Sequence, residues 1–153
     1  MSEEVAEKEF NPAYWNWGKE ATAPRSLFTM IRVKDPEASI RFYTEGFGMK
    51  VLERHDFESA RFSLIFLSFD GYGSGAIELT YNWDQSEPYS HGTGFGHISI
   101  GVPDVVAAVA KLESLGANIP TRPKQMAPGA PQIAFAQDPD GYRIELIQTN
   151  RYS

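Results

Sequence analysis

No cysteine occurs in this 153-residue chain, which excludes disulfides, thiolate metal ligands and a cysteine nucleophile. No apolar run approaches the roughly 18 residues of a membrane span. Met1 to Phe10 is acidic and lacks the basic start and apolar centre of a signal peptide. A cytoplasmic protein is expected. Cations are in deficit: 14 Lys and Arg against 20 Asp and Glu leave a formal net charge of −6. Such a field argues against nucleic acid or an anionic membrane as partner, and an anionic small ligand would need locally placed cations. Histidine is scarce too, with His55, His91 and His97 the whole supply. The 42% hydrophobic and 13% aromatic residues suit a globular chain, long enough for one domain with a real core or two small packed modules.

Residues 1–26 read as an N-terminal arm. Its first part, Ser2 to Glu9, is highly charged, and Phe10, Tyr14, Trp15 and Trp17 then follow closely. Such aromatic density predicts docking on a surface, either a partner subunit or the chain's own core. From Leu27 to Val33 the pattern predicts a strand. Asp35 and Pro36 open a helix with Ile40, Phe42 and Tyr43 on its apolar face, and Gly46 or Gly48 ends it. Three strands follow, Met49 to Arg54, Arg61 to Phe69 and Ala76 to Asn82, split at Asp56-Phe57-Glu58 and Asp70-Gly71-Tyr72-Gly73. A linker from Trp83 to Thr93 leads to a second set: a strand from Gly96 to Val102, a helix capped by Asp104 and stopped by Gly116, a short strand near Asn118-Ile119, then strands at Gln132 to Gln137 and Tyr142 to Gln148.

The two sets are in register. Val33-Lys34-Asp35 matches Val102-Pro103-Asp104 at an offset of 69, Gly48 matches Gly116 at 68, and Ile77-Glu78-Leu79 matches Ile144-Glu145-Leu146 at 67. A near-constant offset over a half-chain signals internal duplication. The expected fold is α+β: two βαβββ modules, about 27–82 and 95–148, forming a curved, partly open mixed sheet or barrel.

The duplication points to the chemistry. The turn Asp138-Pro139-Asp140-Gly141 feeds a strand with Glu145 in its middle, and Glu78 is its repeat equivalent. A carboxylate inside a β-branched run needs a partner if it points inward. His97 lies on the first strand of the second module, where the first module has Phe28. Two carboxylates and an imidazole in one cup make an N/O set suited to a divalent metal; without a cation the carboxylates would repel. The blander reading is a hydrogen-bonded core histidine and solvent-facing glutamates. His55 and His91, without repeat partners, read as surface or loop residues.

At these residues the chain resembles glyoxalase I, the lactoylglutathione lyase family of the vicinal-oxygen-chelate superfamily. The resemblance rests on Thr29-Met30-Ile31-Arg32-Val33-Lys34-Asp35-Pro36, Phe42-Tyr43, Gly48-Met49, Ile77-Glu78-Leu79-Thr80-Tyr81-Asn82-Trp83, Phe95-Gly96-His97-Ile98, and Asp138-Pro139-Asp140-Gly141-Tyr142 with Ile144-Glu145. It covers about residues 27–148 and implies a glyoxalase-like domain over 27–153. It implies a homodimer with cups shared between chains, Glu78, His97 and Glu145 as ligands of a divalent metal (Ni, Co or Zn), and Arg32 and Asn82 as contacts for glutathione, the co-substrate. The implied reaction isomerises the methylglyoxal–glutathione hemithioacetal to S-lactoylglutathione, with Glu145, and Glu78 for the other stereoisomer, moving the proton. The family's fourth ligand, His or Gln, falls at Phe28, which cannot coordinate. The alternative this raises is a non-catalytic, ligand-binding member of the superfamily whose metal site Phe28 impairs. A ring-cleaving dioxygenase would want two His and one carboxylate, which the set does not offer.

Overall fold

The computed structural model describes residues 22–149; the aromatic cluster of the arm, Phe10 to Trp17, lies outside them. The first module runs β1 (Phe28–Val33), α1 (Pro36–Arg41) continuing into a π-helical turn (Phe42–Gly46), β2 (Lys50–Phe57), β3 (Phe62–Ser68) and β4 (Ala76–Asn82). The second runs β5 (Ile98–Val102), α2 (Val105–Ser114), β6 (Asn118–Gln125), β7 (Gln132–Gln137) and β8 (Arg143–Gln148). The strands form two four-stranded sheets of identical topology, β1-β4-β3-β2 and β5-β8-β7-β6, each with one parallel pair at the βαβ crossover. The expected mixed sheet is thus realised as two sheets, neither closed into a barrel.

The duplication appears in the turns as well. Gly48 and Gly116 follow the two helices with φ of +90° and +86°, a left-handed conformation that glycine adopts without a Cβ clash. Asp104 caps α2 as expected, its Oδ1 accepting the Ala107 N–H at 3.0 Å. Val105, Val109 and Leu112 bury one stripe of α2.

By packing, the chain divides into two compact units whose boundary differs from the sequence repeat. One holds the described residues up to Pro36 with Gly48–Pro88; the other holds Glu37–Phe47 with Tyr89 onward. The body of α1 therefore belongs with the second sheet. Three contacts explain this. The fully buried Tyr43 donates its hydroxyl to Asp138 Oδ2 at 2.7 Å. Ser39 donates to Asp140 Oδ2 at 3.3 Å. Gly46 lies so close to α2 that a Cβ there would stand 2.7 Å from Leu112 Cδ2.

The first hairpin departs from expectation. Asp56 and Phe57 were expected at a break, yet β2 continues through them. Ser63 donates to Asp56 at 2.5 Å, and Phe57 stacks on Phe62 with ring centroids 4.6 Å apart. These cross-strand pairs hold the ladder closed, and the chain turns over residues 58–61, where Arg61 has a φ of +58°. In the second unit the short strand expected near Asn118-Ile119 extends to Gln125.

Candidate active site

Each sheet has one apolar face and one face bearing the chemistry, because side chains alternate along a strand. In the first unit Ile31, Val33, Ile65, Leu67, Ile77 and Leu79 bury the apolar face. The opposite face is set by register: Met30, Glu78, Phe66 and Glu53 stand in one row across β1, β4, β3 and β2, and Arg32, Thr80, Leu64 and His55 stand in the next. Glu78 is thus held mid-sheet by neighbours on both sides. It is 9% exposed, and burial raises its pKa, opposed by a Thr80 hydroxyl donated to Oε1 at 3.4 Å. Asn82 lies two residue pairs along β4 from Glu78, so Arg32, Glu78 and Asn82 share one face. Phe28 sits edge-on to Phe66, ring centroids 5.0 Å apart.

In the second unit the corresponding face brings two predicted residues into contact. His97, one residue before β5, places Nε2 2.7 Å from Glu145 Oε2. Ser99, opposite Glu145 in the parallel ladder, donates its hydroxyl to the same oxygen at 3.0 Å. Phe135, the other cross-strand neighbour of Glu145, meets the imidazole edge-on at 5.3 Å. The pair is neither sealed nor fully wet: side-chain exposure is 41% for His97 and 17% for Glu145. Ile144 and Leu146, on either side of Glu145, are wholly buried and hold the strand in register. A depression of about 560 Å³ elsewhere in this unit, bordered by Asp104, Val106, Gln125, Pro131 and Gln148, contains neither His97 nor Glu145.

Glu78 lies in the first unit and the His97–Glu145 pair in the second. Among the described residues no group of three or more His, Asp or Glu gathers into a metal cluster. The donor types nonetheless fit a divalent cation: an imidazole nitrogen against a carboxylate oxygen, and a second carboxylate whose burial disfavours its charge.

One expectation is corrected. His55 is neither a surface nor a loop residue: it lies in β2 with its side chain 15% exposed, and its Nε2 meets Glu53 Oε2 at 2.5 Å. His91 lies in a loop, as expected. It stacks on Tyr142 at 4.1 Å, and its Nε2 is buried with no hydrogen-bond partner among the described residues. The sequence reading missed the network at Glu53, whose other oxygen accepts the Tyr72 hydroxyl. The i, i+2 spacing of Glu53 and His55 put them on one face, but nothing local showed which.

The model for the Glyoxalase/Bleomycin resistance protein/Dioxygenase superfamily matches residues 25–146. A probable lactoylglutathione lyase of Vibrio parahaemolyticus is 44% identical over 130 residues, 84% of this chain and 94% of that protein. Among solved structures, glyoxalase I from Zea mays superposes with a TM-score of 0.77 at 42% identity, covering 82% of this chain and 44% of that one, so this chain spans less than half of the maize protein. Leishmania major glyoxalase I, described as trypanothione-dependent, gives 0.73 at 40% identity over 85% of this chain and 89% of that one.

Proposed function

The chain belongs to the Glyoxalase/Bleomycin resistance protein/Dioxygenase superfamily, and from that premise we propose that it is a lactoylglutathione lyase that detoxifies methylglyoxal. The His97–Glu145 contact carries the reading: the duplicated strand presents a carboxylate next to an imidazole on an open sheet face. The substrate is the hemithioacetal of methylglyoxal and glutathione, and the product is S-lactoylglutathione.

Glu78, His97 and Glu145 are the residues that would hold a divalent metal, Ni, Co or Zn. When bound, that ion supplies Lewis acidity, which makes the substrate C–H more acidic. Glu145 removes the proton from the carbon bearing sulfur and hydroxyl and returns it to the former carbonyl carbon. The hydroxyl proton passes to the other oxygen, so the thioester forms by isomerisation alone, with no co-reactant. His97 and Ser99 both meet Oε2 of Glu145, which fixes the carboxylate and presents Oε1 for the transfer. Glu78 does the same work on the other stereoisomer, and Arg32 and Asn82, on its face, receive the glutathione carboxylates. Two copies pair so that each cup takes groups from both chains. No described helix is long and apolar enough to cross a membrane, and we place the enzyme in the cytoplasm.

The test is metal content measured with turnover: protein loaded with Ni, Co or Zn forms the thioester, and chelation abolishes it. A protein that takes up none of these ions and turns over nothing overturns the proposal. One observation favours a second reading, a non-catalytic binder: Phe28 packs against Phe66 where the repeat would put a fourth ligand. That reading requires stoichiometric ligand binding unaffected by chelator.

A further inference from the structure

The face of the first sheet that carries Glu78 holds a polar network that the proposed reaction leaves unused. Glu53 Oε2 meets His55 Nε2 at 2.5 Å, and Glu53 Oε1 accepts the Tyr72 hydroxyl. Phe66 lies against both rings, 6.4 Å from His55 and 5.8 Å from Tyr72. Glu53 and His55 reach this face only because of a bulge. Val51 pairs with Leu67, but Glu53 pairs with Phe66, so Leu52 is an extra residue in β2. A continuous ladder would set Glu53 opposite Ile65, on the apolar face. Bulges re-aim side chains in this way and are enriched beside active sites. Tyr72 comes from the β3–β4 loop, where Gly71, Gly73 and Gly75 have positive φ and let the chain bring the phenol back over the sheet. Tyr72 is also near enough to Glu78 for that carboxylate to help raise its pKa, behind burial and the Glu53 contact.

The row geometry gives these groups a direction. Arg32 on β1 and His55 on β2 stand at opposite edges of one four-strand row, with Thr80 and Leu64 between. Glu78 occupies the neighbouring row between Met30 and Phe66, about 10 Å from Glu53 at roughly 4.8 Å per strand. If glutathione lies toward Arg32 and Asn82 and the reacting carbon lies at Glu78, the aldehyde-derived end points over Phe66 toward β2. We propose that Glu53, His55 and Tyr72 form the subsite for that end, and that it selects an adduct carrying a hydroxyl over one ending in a bare methyl. Glu53 fixes the imidazole and the phenol, and these hydrogen-bond the substrate hydroxyl. A site built to hydrogen-bond a hydroxyl discriminates more sharply than one that only packs hydrocarbon. The direction of the substrate rests on the proposed lyase reading; the network itself does not.

The test separates the two. Isothermal titration of the metal-loaded protein with two inert thioethers, S-(3-hydroxypropyl)glutathione and S-propylglutathione, reads the subsite without turnover. The hydroxylated compound should bind about tenfold more tightly, and Tyr72→Phe and His55→Leu should each bring the ratio to near one. Tyr72→Phe keeps the ring and its packing, so it tests the hydroxyl in a folded protein. Kinetics with the glutathione hemithioacetals of hydroxypyruvaldehyde and methylglyoxal should show the same preference in kcat/KM. Equal affinities of the two thioethers, or a ratio unchanged in both variants, overturn the subsite. A retained thioether preference with no turnover of either hemithioacetal keeps the subsite and overturns the lyase.

Discussion

The two units place equivalent carboxylates on equivalent strands and treat them differently. In the second, Glu145 meets an imidazole and a hydroxyl on one oxygen. In the first, Glu78 has Phe28 where the repeat puts that imidazole, and lies more deeply buried beside a weak hydroxyl contact. One unit sets its carboxylate against an imidazole, while the other has an aromatic ring at the repeat-equivalent position and a polar network on β2. Duplication preserves backbone and register because every strand depends on them. Single side chains on the open face are released from that constraint and diverge.

The sharpest way to test this asymmetry is to remove each carboxylate in turn. Glu145→Gln is expected to lower kcat by about 10³-fold, with thermal unfolding little changed because the amide keeps the shape. Glu78→Gln should fall mainly on one hemithioacetal stereoisomer, read with stereochemically resolved substrate. Equal losses on both stereoisomers from both variants would show that the halves are not divided in this way.

The second contrast concerns α1, the first module's helix, and its attachment through Tyr43 and Asp138 to the second unit. Burial, ahead of the opposing hydrogen bonds, lifts Asp138 to a pKa of about 6. The folded state thus holds a proton that the unfolded chain releases near pH 4. The stabilisation from that proton is complete below the unfolded value and is lost as pH rises through about 6. Stability should decline by up to about 3 kcal/mol over that window, and Asp138→Asn should flatten the curve in denaturant titrations at stepped pH. Tyr43→Phe, which takes a buried donor from Asp138, should cost about 1–3 kcal/mol at neutral pH, measured by urea unfolding. A Tyr43→Phe protein as stable as the parent would mean that packing alone holds α1 there.

The smallest expected effect restores the symmetry. Phe28→His should tighten divalent-metal binding by about tenfold, or about 1.4 kcal/mol, as read by competition with a metal indicator. Unchanged affinity would mean that the repeat equivalence of Phe28 and His97 does not extend to the site.

Much of this was legible in the chain. The near-constant offset between halves gave the βαβββ order, β4 and β7 have the expected bounds, and the Ile-Glu-Leu cores marked both carboxylates. Local pattern could not show that His55 belongs to a strand and faces Glu53, because the decisive feature is one extra residue at Leu52. A bulge is a mismatch between two strands and leaves no mark on either alone.

Composition, periodicity and the internal repeat determined the class of fold, the strand order and the residues with metal-ligating chemistry, since these follow from which side chains alternate and recur. Tertiary structure alone decided which partner each of those residues has: His97 on Glu145, Phe28 on Phe66, Glu53 between His55 and Tyr72, and α1 on the second unit rather than its own. Partners are fixed by register and packing between segments far apart in sequence, and a one-residue shift in register moves a side chain to the opposite face of its sheet.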